Sequence, residues 1–447
     1  MKRLLPALFL SAACGAGLVD HNGVDLQTVL QCPAGQQACG SSCVSIDTDP
    51  NNCGGCGNSG INHVCSAPQL ATATCTAQAC GFSCQPGFFL CKQNKACCPA
   101  SYIAAGGDTS CAVVEGTVDC WGSNDAGQLG TTPGPGSVFS ATPVAVPTLP
   151  PASSVAVGSH HACAILAGTG EVWCWGANGA GQLGDGTTTQ HGAQKVPGVS
   201  GASLLALGGQ HTCAQTSAGL ICWGDNAVGQ LGDGTTTSHG PGAAVNLPTP
   251  ASSIGAGDQF TCAVAAASVF CWGTNADGQL AYGAYSKSTT PVVVNGVSGA
   301  VSVGVGDRHA CAIGSQSKIW CWGSDWFGQV GDGKTQATSQ VSGVSNLTSP
   351  LAVGAGVAHT CALDTDGLFC WGANSSGQLG LGVNSPAALR PTLVEGLTAI
   401  QQLAVGATHS CAALTADGTV YCWGNNGSGQ AGAPQGKPVS TPRPIGP

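Results

Sequence analysis

Seven copies of Cys-Trp-Gly punctuate this chain, ending at Gly122, Gly176, Gly224, Gly273, Gly323, Gly372 and Gly424, with their tryptophans 48 to 54 residues apart. A period of that length belongs to units too small to bury a core alone, which become stable only when stacked on their neighbours. The tripeptide is one phrase of a longer repeat. A Gly stands five residues before the first Cys of every unit, from Gly106 to Gly406, and an Ala directly after that Cys, from Ala112 to Ala412. Apolar residues six and eight places before it, such as Val155 and Val157 or Val303 and Val305, alternate with period two and predict a strand. The invariant Ala predicts a closely packed inner position.

The second Cys of each unit follows nine to eleven residues after the first, across turn formers such as Glu115-Gly116, Asp366-Gly367 and Asp417-Gly418. Two cysteines flanking a turn at near-equal distance face each other across an antiparallel pair, at a separation that a disulfide spans. Seven bridges are expected, one per unit: Cys111–Cys120, Cys163–Cys174, Cys213–Cys222, Cys262–Cys271, Cys311–Cys321, Cys361–Cys370 and Cys411–Cys422. Each closes a short loop, worth about 2–3 kcal/mol in the chain-entropy model. Zinc is the weaker alternative, because the repeats contain no Cys-x-x-Cys pair.

The chain has 27 cysteines: Cys14 alone, twelve from Cys32 to Cys98, and fourteen in the repeats. Residues 1–14 read as an export signal, with Lys2 and Arg3 as the basic start, an apolar stretch over 4–10, and Ser11-Ala12-Ala13 as the small-residue cleavage zone. Cys14 follows directly and resembles the lipidated Cys of a bacterial lipobox, although Ser11 stands where that motif usually has Leu; an ordinary signal peptide cleaved nearby is the alternative. The odd cysteine count favours lipidation of Cys14. Residues 15–31 are expected to be a tether. Residues 32–98 have too few bulky apolar side chains for a core, so disulfides must hold them as a small cysteine-rich module. Within it, Asp49-Pro50-Asn51-Asn52-Cys53-Gly54-Gly55-Cys56-Gly57 resembles the cysteine-rich motif of plant stigma-specific proteins, also found in exported myxobacterial proteins. A redox or zinc role for Cys53 and Cys56 is weaker than a structural one among ten further cysteines.

After each Trp-Gly comes x-[Asn/Asp]-x-x-Gly-Gln, with Gln at 128, 182, 230, 279, 329, 378 and 430, often continuing Leu-Gly-Asp-Gly-Thr as over residues 183–187. The full phrase, Gly-x-x-His-x-Cys-Ala…Cys-Trp-Gly-x-Asn-x-x-Gly-Gln-Leu-Gly, resembles the repeat of the regulator of chromosome condensation family. That resemblance covers about three quarters of the chain and implies an all-β fold: a seven-bladed β-propeller over residues 103–447, behind the small N-terminal disulfide-rich module. The paired cysteines depart from the nuclear members and suit an exported one. An extended Thr/Pro/Val segment separates the units, as at Thr142-Pro143-Val144 and Thr290-Pro291-Val292. None precedes the first unit and one follows the last, Thr441-Pro442-Arg443-Pro444-Ile445, so this C-terminal segment is expected to complete the first blade and close the ring.

Five units place a His two residues before the first Cys: His161, His211, His309, His359 and His409, against Thr109 and Phe260 in the other two. One imidazole per blade is too dispersed to share an ion, which favours a repeated hydrogen-bonding or packing role over metal. The seven Trp-Gly tryptophans are likewise expected to pack cores. No catalytic motif is present: no Gly-x-Ser-x-Gly, no His-Glu-x-x-His, no phosphate-binding loop. No enzyme activity, cofactor or metal is therefore expected. Charged residues are only 7% of the chain, with twelve Lys+Arg and a net charge of -9, which excludes a broad nucleic-acid footprint. No apolar run spans a membrane.

Where the repeat breaks its own rule, a site is expected. The fifth unit reads Ser324-Asp325-Trp326-Phe327 after its Trp-Gly, and the fourth carries Tyr282 and Tyr285 in place of Gly-Asp-Gly. Asp307 and Arg308 add charge to a chain with little. Clustered exposed aromatics are binding anchors; the competing reading is that they only cover a blade edge. The expected protein is an exported scaffold, outer-membrane or cell-surface lipoprotein or secreted. It would be monomeric and non-enzymatic, and touch membrane only through a lipid on Cys14. Its partner would be a protein or a polysaccharide and no nucleic acid. The alternative is a secreted enzyme inhibitor, since the bacterial β-lactamase inhibitor protein II resembles this chain in its propeller repeats.

Overall fold

The computed structural model describes residues 100–445, apart from 132–137, 243, 284–285, 383–386 and 416–417; before residue 100 it describes Cys32 and short segments within 36–98. Residues 1–31, with the export signal, Cys14 and the tether, lie outside the described residues, as do Tyr285 and the Cys53/Cys56 segment. The chain divides into two units, residues 1–85 with 93–97, and residues 86–92 with 98–447. In the first, Gln37–Cys39 pairs with Ser42–Val44 and Ala71–Thr76 with Ala79–Cys84, both antiparallel, and a disulfide joins Cys32 to Cys43.

The second unit is a seven-bladed β-propeller. Blade one consists of Tyr102–Gly106, Thr109–Val114, Thr117–Ser123 and Phe139–Ala145, each strand antiparallel to the next. The later blades repeat that order, and their inner strands are Ala152–Val157, Leu204–Leu207, Ser253–Ala256, Ser302–Val305, Pro350–Ala355 and Ile400–Val405. The inner strands line an axial channel of about 260 Å3. Blade three has three strands among the described residues, with only a bridge from Gly224 to His239 where the fourth would begin. Gly240-Pro241-Gly242 follows that bridge, and a proline there has no N–H to give the ladder.

In every blade the two cysteines are direct partners on the second and third strands, and all seven pairs are disulfide-bonded with Cα atoms 4.1 Å apart. The Ala after the first Cys is fully buried in each blade. So is the tryptophan of each Cys-Trp-Gly. Its indole lies in the seam between blades and its Nε1–H donates to the main-chain carbonyl of the preceding blade's Gly-Gln glutamine. This bond recurs at all seven seams, at 2.8 to 3.1 Å. The Gly after that tryptophan has φ near +100° throughout, as at Gly176 with φ 103°. A Cβ on Gly176 would come within 2.7 Å of the His160 carbonyl oxygen, so both conformation and space require glycine.

The C-terminal segment does not complete the first blade. Val439–Pro444 pairs with Val420–Gly424, the third strand of its own blade, and blade one has its own fourth strand at Phe139–Ala145. Every Thr/Pro/Val segment belongs to the unit before it. A strand that follows a loop reaches its antiparallel neighbour in the same hairpin at lower entropic cost than one across the ring. The ring closes between blades seven and one without strand exchange. Ile103 N–H donates to Gln402 Oε1 at 2.9 Å, Ala407 N–H to the Gly107 carbonyl at 3.0 Å, and Gln430 Nε2 to Asp108 Oδ1 at 2.7 Å. Ile445 is buried in one cluster with Trp121, Val114 and Ile103 of blade one. Deleting residues 438–447 removes the outer strand of blade seven and Ile445 from that shared core. The melting temperature should fall by about 10 °C; an unchanged calorimetric melt would contradict this seam.

Candidate functional site

Antiparallel alternation puts the turn between first and second strands on the same face as the loop between third and fourth. On that face the same two hydrogen bonds frame the long loop of every blade. The Asn or Asp two residues after Trp-Gly accepts, through Oδ1, the N–H five residues on, from Leu129 on Asn124 to Ala431 on Asn426, at 2.9 to 3.2 Å. The Gln Oε1 accepts the N–H two residues before it, at 2.8 to 3.0 Å in all seven blades. Between these two fixed residues lie two positions that the frame leaves free to vary.

The five repeated histidines are part of the scaffold. His161 Nε2 meets Thr212 Oγ1 of the next blade at 2.9 Å, and His211, His309, His359 and His409 meet Thr261, Thr360, Ser410 and Ser110 in the same way at 2.8 to 3.0 Å. Each hydroxyl in turn lies 2.8 to 3.3 Å from the glutamine carbonyl that also takes the indole N–H. A hydroxyl has one proton, which the carbonyl must receive, so the imidazole donates from Nε2. The ring lies against the Gly five residues before its Cys; a Cβ on Gly158 would come within 2.8 Å of His161 Cε1. The rings are fully buried, and burial pushes His161, His309 and His359 down to about 3 and His211 and His409 to about 4. They are neutral at physiological pH. No group of three or more His, Cys, Asp or Glu side chains among the described residues is placed to hold a metal.

The partner hydroxyl is a residue that sequence reading missed, although the sequence marks it. The two blades without this His have Thr109 and Phe260, and the blade after each has alanine, Ala162 and Ala310, where the others have Ser or Thr. Donor and acceptor are present together or absent together around the whole ring.

Of the residues expected to bind, Asp307 and Arg308 form the first turn of blade five and Trp326 and Phe327 its long loop, while Tyr282 lies in the long loop of blade four; all are on the framed face. Trp326 is 64% exposed, Phe327 51% and Tyr282 38%. The structure draws Trp326 and Arg308 to a residue not singled out from sequence, Asp277. Arg308 Nη1 donates to Asp277 Oδ2 at 3.3 Å. Asp277 also lines a groove of about 460 Å3 with Trp326, Asn275, Ser286 and Ser339. Tyr282 does not line that groove; its carbonyl accepts from Asn275 Nδ2 at 3.0 Å. Asp307 lines the channel mouth, where its carboxyl is pushed up to about 6 by burial and by neighbouring Asp258, against the pull of Arg308. Asp325, which replaces the framing Asn, is likewise pushed up to about 6, chiefly by burial. At that position Asn178 and Asn226 donate from Nδ2 to loop oxygens, which a carboxyl does only when protonated.

Blades pinned by hairpin disulfides, indole-to-glutamine seams and one constant loop frame define a repeat-built propeller carrying a variable face. The Regulator of chromosome condensation (RCC1) repeat matches at residues 115–165, 169–215, 267–313 and 366–413, and a second description of the same repeat at 152–182, 300–329, 351–378 and 400–430. The chain belongs to that family. Among solved structures it is similar to Prp20p of Saccharomyces cerevisiae, described with its binding to Gsp1p and histones, with 21% identity and a TM-score of 0.67 over 78% of this chain and 88% of that one. Human WBSCR16 gives 22% identity and a TM-score of 0.65 over 74% and 93%. Among curated proteins, the probable E3 ubiquitin-protein ligase HERC4 of Mus musculus is 43% identical over 67 residues, 14% of this chain and 6% of that protein. The X-linked retinitis pigmentosa GTPase regulator of the same organism is 39% identical over 84 residues, 18% and 8% respectively. The chain thus covers less than a tenth of the length of these curated relatives.

Thr360→Ala should strip the acceptor from His309 Nε2–H and cost about 1–3 kcal/mol in denaturant unfolding. Adding His309→Phe reproduces the Phe260/Ala310 seam and should recover most of that loss; additive losses would contradict the pairing. Because the imidazoles sit below their usual 6.5 in the fold, the unfolded chain takes up protons first on acidification. Their contribution is complete above about pH 6.5 and is lost as pH falls toward 3–4, while the raised carboxyls of Asp119, Asp307 and Asp325 act in the opposite sense over the same range. His359→Gln keeps a donor for Ser410 and should flatten the acid limb of stability against pH by about 1.4 kcal/mol per pH unit between pH 4 and 6. An unchanged slope would refute burial of a neutral ring there.

Proposed function

We propose that this protein is an exported, non-enzymatic recognition module that binds a protein partner through the framed face of blades four to six. The observation that carries this reading is the exposed pair Trp326 and Phe327, set at the two free positions of a loop whose frame is otherwise constant. Aromatic side chains held on a rigid frame lose little entropy on binding, which makes them effective anchors. Next to them, by repeat equivalence, the first turn of blade six presents Val357, 37% exposed, where blade five has Asp307. The aromatic pair therefore borders an ion pair on one side and an apolar turn on the other. Scaffolds with so many short-range disulfides belong to oxidising compartments. Together with the export signal read at residues 1–14, this supports a secreted protein or a surface lipoprotein anchored at Cys14.

The test is affinity capture from culture medium and cell-surface extracts with immobilised wild-type propeller and with Trp326→Ala/Phe327→Ala. At least one protein should be recovered by wild type and lost with the double variant. Equal recovery of every partner would dismiss this face.

A further inference from the structure

We infer that the groove between the long loops of blades four and five is a receptor for a cationic side chain of the partner, an arginine, clamped between the Trp326 ring and the Asp277 carboxylate. This deepens the reading above and rests on it. Small residues, Ala276, Gly278, Gly283 and Ala337, line the groove of about 460 Å3 together with Trp326, which is 64% exposed. Asn275, Ser286 and Ser339 supply polar atoms around the same space. A flat guanidinium stacks on an indole face and forks to a carboxylate, and these are the two groups that the groove brings together.

Charge complementarity selects the sign of the occupant. Asp258, Asp277 and Asp307 share the adjoining hollow with a single cation, Arg308. Arg308 is largely exposed and holds Asp277 through one nitrogen at 3.3 Å, which leaves the second carboxylate oxygen for another donor. The local charge therefore invites a basic partner and disfavours an acidic one. Trp326 takes the place of Ala276 in the preceding blade and Ser375 in the following one, so the clamp is formed at this one seam of the ring.

The probe is a fluorescein-labelled Gly/Ser peptide carrying arginines, compared with the same peptide carrying glutamine or lysine, by fluorescence polarisation at low salt. The arginine peptide should bind wild-type protein at least about tenfold tighter than the glutamine peptide, with affinity falling as salt is raised. Trp326→Ala and Asp277→Asn should each remove most of that preference, and Ser375→Ala, at the equivalent position of blade six, should leave it intact. Arg308→Gln frees Asp277 from its internal partner and should tighten arginine-peptide binding several-fold, a gain that a merely structural role would not produce. Equal binding of arginine and glutamine peptides would overturn the inference. So would Trp326-dependent retention of chitin or glucan oligosaccharides without an arginine preference. If captured partners depend on Trp326 and Phe327 yet no arginine preference appears, this inference falls and the binding face stands; if no partner depends on them, the face itself falls.

Discussion

One main-chain carbonyl per unit holds the ring together. The glutamine carbonyl of each long loop receives the indole N–H of the next blade, and at five seams also the hydroxyl that a buried imidazole engages. A buried carbonyl stripped of its donor costs more than the bond contributes when made. Each loop must therefore hold its carbonyl in place, and its Asn and Gln side chains do so by tying the loop to itself. The constancy of the loop is a consequence of the seam, and the freedom of its two intervening positions is what the seam leaves over.

Much of this was legible in the residues because the repeat supplies seven readings of each position. Cysteines flanking a short turn have one geometric solution, and an alanine that never varies marks a place with room for one methyl group. The histidines were legible as scaffold, but their partner was not. It lies one blade away, roughly fifty residues on, and shows only when Thr109 is compared with Ala162 and Phe260 with Ala310. Ring closure was not legible for a different reason. A Thr/Pro/Val segment between two units has the same composition whichever it joins, and only the pairing of Val439–Pro444 with its own hairpin assigns it. Asp277 was invisible for a third reason: an aspartate in a turn is unremarkable until the fold lays the next blade's Arg308 against it.

The same frame explains why a variable face costs the fold little. Trp326 and Phe327 project from a loop whose backbone is held by Asp325 and Gln329 as in the other blades, so bulk there disturbs no seam. Blade five departs from the pattern even within the frame, with a carboxyl in place of an amide beside the two aromatics. The exposed aromatic side chains among the described residues thus gather on one sector of one face.

The hairpin disulfides have a consequence for how the chain is made. Every bridge joins cysteines 9 to 11 residues apart, and in each case the partner is closer in sequence than any cysteine of a neighbouring blade. Closing a native hairpin loop therefore costs less chain entropy than any pairing between blades. Fourteen cysteines allow a vast number of pairings, and the shortness of the native loops favours the seven local closures among them.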